Sequence, residues 1–211
     1  MNILIIAAHP DDEVLGMGGT IAKHTSKRDN VSIIYLATGI TSRNKNNSKK
    51  NKEDNLKDIK KLRNDAKKSA KLLKVKNIKF YDFPDNEMDG IELLKIVKII
   101  ENEIKIIKPD RIYTNHYNDL NVDHRAVFNA TITACRPSSI YSVKEILCFE
   151  VLSSTEWNYP YKFNANYFVD VKGNIDKKIK AMKCFSGEIR KFPHPRSPEN
   201  IRHVAGRWGA I

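Results

Sequence analysis

Cysteine is scarce in this 211-residue chain, and the three present, Cys135, Cys148 and Cys184, lie far apart with no Cys-x-x-Cys pair. That spacing points away from a disulfide framework and from a cysteine-built zinc site, and it fits a reducing compartment such as the cytosol. Long apolar runs are missing as well: none approaches the roughly 20 residues that cross a bilayer. The apolar N-terminus reaches His9 too soon, without a basic lead-in or a small-residue cleavage site, to read as a signal peptide. No internal repeat and no linker divides the sequence, whose length suits one sizeable core. A dinucleotide fingerprint is absent too. Gly16, Gly18 and Gly19 fall inside what should be the first helix and not in a strand-to-helix turn, so close approach of that helix to the sheet is the better reading.

Acidic residues are thin in one region only. The formal net charge is +12, and residues 43–79 hold 15 Lys and Arg against 4 acidic residues, while the other 22 basic and 21 acidic residues nearly cancel. That stretch contains no aromatic residue to stack on bases, and Asn and Ser interleave its lysines. A solvated basic face is expected, with no nucleic-acid partner; a phosphorylated or lipid-linked ligand remains compatible with it.

The pattern of the remainder is α/β. Ile3–Ala8, Val31–Ala37, Ile78–Phe83 and Arg111–Thr114 read as strands, alternating with helices expected over Leu56–Leu73 and Ile91–Ile107. Glu145–Val151 and Tyr167–Val171 read as two further short strands, and Asp176–Phe185 as a late helix. The progression implies a single domain over residues 1–211, doubly wound, with a mainly parallel sheet and helices on both faces. Residues 39–55 read as a long loop at the ligand-binding edge, a candidate lid.

Chemistry concentrates after the first strand, in Ala8-His9-Pro10-Asp11-Asp12-Glu13. One imidazole and three carboxylates beside an apolar strand need hydrogen bonds, protons or a cation. His9 and Asp12 have the donor atoms for one divalent ion, with Asp11 beside it; an Asp helix cap next to a surface histidine is the plainer alternative. A catalytic zinc needs a third protein ligand. His124 is the best candidate, in a polar loop after the strand-like Arg111–Thr114, with Asp123 able to cap the next helix. Two histidines and one carboxylate would also suit non-haem iron.

These residues, together with Gly16, Gly18-Gly19 and Asp123-His124-Arg125, resemble the LmbE/PIG-L-like family of zinc-dependent N-acetylglucosaminyl deacetylases. The likeness continues through Arg63, Phe83-Pro84-Asp85-Asn86, Ser153-Ser154-Thr155-Glu156-Trp157 and Pro193-His194-Pro195-Arg196-Ser197. It implies a Rossmann-like fold and one Zn2+ per chain, or another divalent metal, on His9, Asp12 and His124. It further implies Asp11 as general base, an N-acetylated sugar or glycoconjugate as substrate, and a homo-oligomer. Arg43, Arg63 and Asp85 match positions near the sugar. Many relatives carry a histidine where this chain has Asn121, which can donate a hydrogen bond to an oxyanion but cannot deliver a proton. The general acid would then be Asp11 acting a second time, His116 or His194. Asp123 is expected to orient its neighbours. The substitution at Asn121 also leaves room for a non-catalytic carbohydrate-binding protein.

Overall fold

A computed structural model describes residues 1–40, 49–137, 141–159 and 161–211. Five strands form one sheet: β1 (Asn2–Ala7), β2 (Asn30–Ala37), β3 (Asn77–Phe83), β4 (Arg111–Asn115) and β5 (Glu145–Phe149), in the order β3-β2-β1-β4-β5 and all parallel. Around them run α1 (Asp12–Ser26), α2 (Lys49–Leu72), α3 (Leu93–Ile107), α4 (Val122–Ala134), α5 (Ile175–Met182) and α6 (Pro198–Trp208).

β1 is apolar on both faces because both are covered. Ile3, Ile5 and Ala7 pack with Leu15, Ile21, Leu62 and Met182 from α1, α2 and α5; Leu4 and Ile6 pack with Ile96, Ile100 and Val127 from α3 and α4. The chain winds outward from β1 in one direction to β3, then returns to place β4 on the other side of β1. That reversal opens a crevice at the carboxyl ends of β1 and β4, the place where such sheets bind ligands.

Several elements differ from expectation. α2 begins at Lys49, inside the expected loop, because the polar run from Lys49 to Asp54 carries no apolar period yet consists largely of helix-compatible residues; residues 41–48 of that candidate lid lie outside the described residues. α6 is an element not expected from the sequence, although its start signal and its apolar spacing (Ile201, Val204, Ala205, Trp208) are both present: Pro198 sits in its first turn, and the Ser197 side chain accepts a hydrogen bond from the Asn200 amide at 3.1 Å. Tyr167–Val171 forms no strand: among the described residues the five strands of the sheet pair only with one another, and this segment joins none of them. The glycines of α1 divide: Gly16 approaches the sheet as expected, at the end of β5, whereas Gly18 and Gly19 face Lys178 of α5 and Val171. A Cβ on Gly16 would lie 2.4 Å from the Glu150 carbonyl oxygen and 2.5 Å from the Phe149 ring.

Candidate metal centre and active site

The turn from β1 into α1 delivers the first part of the site. Asp11 adopts a positive φ of 118°, a conformation that costs a non-glycine residue roughly 1–3 kcal/mol and persists only where its surroundings impose it. Here its carbonyl accepts the Val14 and Leu15 amides at 3.1 and 2.9 Å, and its own amide donates to Glu13 Oε2 at 3.3 Å. Glu13 is in turn anchored by the Tyr35 hydroxyl at 2.7 Å. Burial pushes the Glu13 carboxyl up to about 8, against the opposing effect of that hydroxyl.

At the base of the crevice three donor atoms converge. His9 Nδ1 lies 3.3 Å from His124 Nε2 and 3.6 Å from Asp12 Oδ2, and His124 Nε2 lies 3.2 Å from the same oxygen. All three residues are buried. Tetrahedral ligands about 2.0–2.1 Å from a zinc ion stand roughly 3.3 Å from one another, so the spacing suits such an ion. The donor set also suits it: two imidazole nitrogens and a carboxylate oxygen meet in a place lined by further buried carboxylates.

Each ligand is held from behind. The far nitrogen of His9, Nε2, faces Asp123 Oδ2 at 2.9 Å and Asp85 Oδ1 at 3.2 Å. Asp123 is fixed by the Asn86 and Met88 amides, at 2.6 and 3.0 Å. His124 Nδ1 lies 3.1 Å from Asp119 Oδ1. Asp119 has the Thr155 hydroxyl at 2.5 Å, the Asn121 amide at 2.8 Å and the Ser154 hydroxyl as further partners. Asp12 Oδ2 accepts from Asn115 Nδ2 at 3.2 Å, while Asn115 Oδ1 accepts the Ala8 amide at 2.9 Å and ties β4 to the end of β1.

These surroundings set the charges. Burial alone would lower the pKa of both imidazoles, but Asp12, Asp123 and Asp85 outweigh it at His9, and Asp12 with Asp119 lifts His124 to about 9. Burial would raise Asp12, yet His124 and His9 hold its carboxyl well below the ordinary range. The cluster therefore favours positive charge between its carboxylates, which is what a divalent cation supplies.

Asp11 stands beside the three ligands. Burial raises its carboxyl to about 7, opposed by Arg196, whose Nη1 lies 3.0 Å from Asp11 Oδ2. The same nitrogen donates to Glu188 Oε2 at 2.6 Å, and Arg196 Nε donates to Ser153 Oγ at 2.6 Å. His9, Asp11, Asp12, Asp85, Asn86, Asn121, His124, Glu188 and Arg196 share a cavity of about 160 Å3 with Ser153, Ser154, Leu62 and the Pro10–Gly39 contact.

The remaining sequence candidates divide. Asn121 lines the cavity, its Oδ1 capping α4 through the Asp123 amide at 2.8 Å and its Nδ2 donating to Asn86 Oδ1 at 2.8 Å. Asp85 lines it too, turned toward His9. Arg63 is not brought there: it bonds the Tyr81 carbonyl at 3.2 Å and Asp82, and lies over the Phe80 ring on β3. Arg43 lies outside the described residues. His194 does not line the cavity; its Nδ1 accepts the Arg196 amide at 3.1 Å and its ring meets Trp157 edge-on, so the Pro-His-Pro-Arg arm presents Arg196 in its place. His116 is buried against Tyr117 and Phe163, with Nδ1 accepting the Asn118 amide at 3.2 Å. Asn115, Asp119, Glu188 and Arg196 carry roles that spacing did not reveal. The one local hint was polar residues at the carboxyl end of the buried β4.

Residues 4–135 match the PIG-L family, described as GlcNAc-PI de-N-acetylase. The uncharacterized deacetylase YaiS of Escherichia coli is 27% identical over 154 residues, spanning 72% of this chain and 75% of that protein. Among solved structures, the N,N'-diacetylchitobiose deacetylase of Pyrococcus horikoshii superposes with a TM-score of 0.72 at 23% identity, over 99% of this chain and 78% of that one. GalB, the 4-carboxy-2-hydroxymuconate hydratase of Pseudomonas putida, superposes with a TM-score of 0.76 at 19% identity, over 100% and 87%. With this fold and the His-His-Asp centre at its switch point, the chain belongs to the PIG-L family of deacetylases.

Proposed function

We propose that this chain is a zinc-dependent N-deacetylase that hydrolyses the acetamide of a GlcNAc-type sugar or sugar conjugate. The observation that carries the reading is the convergence of His9 Nδ1, Asp12 Oδ2 and His124 Nε2 beside a second buried carboxylate, Asp11. When bound, a zinc ion on those three residues would polarise the acetyl carbonyl and bring the pKa of its water to about 7.

The chain's own groups account for the rest. Asp11 takes a proton from the water as its oxygen adds to the acetyl carbon. Arg196 and the positive-φ turn aim that carboxylate at the cavity. Asn121 has a second N–H beyond the one given to Asn86, and can donate it to the oxyanion. Asp11 then returns the proton to the amine as the carbon–nitrogen bond breaks, releasing acetate. The cavity of about 160 Å3 is smaller than the roughly 300–1,000 Å3 of whole-ligand pockets, so it takes the reacting acetamide while Asn86, Asn121 and Leu62 meet the sugar at its rim.

Acetate release across free, nucleotide-linked and lipid-linked GlcNAc derivatives, with and without added zinc, tests the reading. Asp11→Asn is expected to lower turnover roughly 10²–10⁴-fold with zinc content unchanged. Full activity in that variant would remove Asp11 from the reaction. Metal-loaded protein that never releases acetate would favour a binding protein, or a water-adding reaction of the kind GalB's description implies. Oxygen consumption without acetate would favour an iron enzyme.

A further inference from the structure

Another cavity, of about 830 Å3, lies between α1, β5, α5, α6 and the segment that precedes α5, and no residue lines both it and the cavity around His9, Asp12 and His124. Its volume falls in the range of roughly 300–1,000 Å3 that encloses a whole small molecule. Most of the lining is apolar, with Leu147, Leu152, Phe163, Val171, Ile175 and Val204 on its several sides. The polar groups gather at one place, around Gly16. α1 is kinked there, with Met17 at φ −134° and ψ 22°, and the Gly16 carbonyl accepts from the Lys178 ammonium at 3.2 Å. The stem of Lys178 reaches that carbonyl across Gly18, where a Cβ would meet its Cγ at 3.0 Å.

Charge identifies the occupant. An ammonium has three N–H donors; Lys178 gives one to Gly16 and forms no ion pair with a carboxylate among the described residues. Burial lowers its pKa to about 8, with Glu150 opposing that shift, so it stays mainly charged at neutral pH. The other charged groups of the lining are engaged or wet. Glu150 Oε1 accepts the Trp208 indole N–H at 2.5 Å, Arg202 pairs with Asp176 at 2.5 Å, Asp170 accepts the Lys172 amide at 2.8 Å, and the Lys172 side chain is exposed. A cation with open donors in an apolar enclosure is completed by an anion. With Glu150 close by, a second negative charge would meet repulsion, which selects a carboxylate over a phosphate dianion. Polarity at one place only selects a ligand that is apolar apart from its head. We propose that this cavity binds an apolar monocarboxylate of the fatty-acid kind, its carboxylate on Lys178 Nζ beside Gly16 and its chain against the apolar walls.

The experiment reads binding and not turnover, and so stands apart from any assay of deacetylation. The chain has two tryptophans, and Trp208 lines the cavity, so in a Trp157→Phe background its fluorescence reports occupancy. Decanoate should change that fluorescence saturably, at one molecule per chain. Decylamine, with the same chain and the opposite charge, should bind the same protein at least about tenfold more weakly. Lys178→Met keeps an apolar stem and removes the charge; it should weaken decanoate about tenfold or more and leave the affinity for decanol unchanged. Ala205→Phe, which fills the cavity from α6, should weaken decanoate and decanol alike. The proposal would be overturned by a fluorescence that never saturates with decanoate, or by decylamine binding as tightly. Decanoate affinity unaltered in Lys178→Met or in Ala205→Phe would overturn it equally.

Discussion

Asp119 reaches His124 through the ring nitrogen turned away from Asp12, and three further donors hold its carboxylate in place. A carboxylate in that position fixes the tautomer and orientation of a ligating imidazole and raises its basicity. Asp119→Ala should therefore weaken metal affinity roughly 10–100-fold, measured by competition with a chelator. An affinity equal to that of the unchanged chain would show that the position of His124 in α4 and its burial hold the imidazole unaided. His9, Asp12 and His124 were legible as candidate metal ligands because their residue types crowd the ends of two strands. Asp119, Glu188 and Arg196 were not, since their roles depend on loops that meet in space and leave no spacing in sequence.

Within α1 the decisive residue is Gly16, where the helix crosses the end of β5 against the Glu150 carbonyl and the Phe149 ring. Gly16→Ala puts a methyl into backbone that cannot swing aside, and a destabilisation of about 1–3 kcal/mol is expected in denaturant unfolding. At the other end of α1, Asp29 accepts from the Met1 ammonium at 2.8 Å and faces His24 Nδ1 at 2.7 Å. Burial would raise its pKa, but those two partners outweigh it and hold the carboxyl below its ordinary value. A depressed folded-state pKa contributes stability above the unfolded value, and that contribution disappears as pH falls through the folded one. The gap in thermal stability between the native chain and Asp29→Asn should thus be present at neutral pH and close as pH falls below the ordinary carboxylate range. A gap that persists at the acid end would assign the difference to packing.

Over the whole molecule, the charge of α2 is separate from the crevice: Lys57, Lys60, Lys61 and Lys67 are exposed and none lines the cavity around His9, Asp12 and His124. Changing these four to Gln should leave turnover of a neutral GlcNAc substrate unchanged. Duplex nucleic acid should bind weakly, with affinity collapsing as salt rises, because phosphate contacts alone are available. Tight, salt-resistant binding would contradict a merely solvated face. No helix among the described residues is long and apolar enough to cross a membrane.

Local pattern by itself determined the α/β alternation, the buried β1 and the three metal-ligand candidates, because apolar period and ligand chemistry are written in neighbouring residues. It also carried α6, in the Ser197-Pro198 start and the apolar spacing of Ile201, Val204, Ala205 and Trp208, although that helix was not among the expected elements. Only the tertiary structure decided that Arg196 and not His194 reaches Asp11, that Arg63 turns to β3, and that Tyr167–Val171 has no partner strand among the described residues. The physical reason is common to all three. A side chain's direction and a strand's partner are set by which distant segments pack together, and a long-range contact has no periodicity to read.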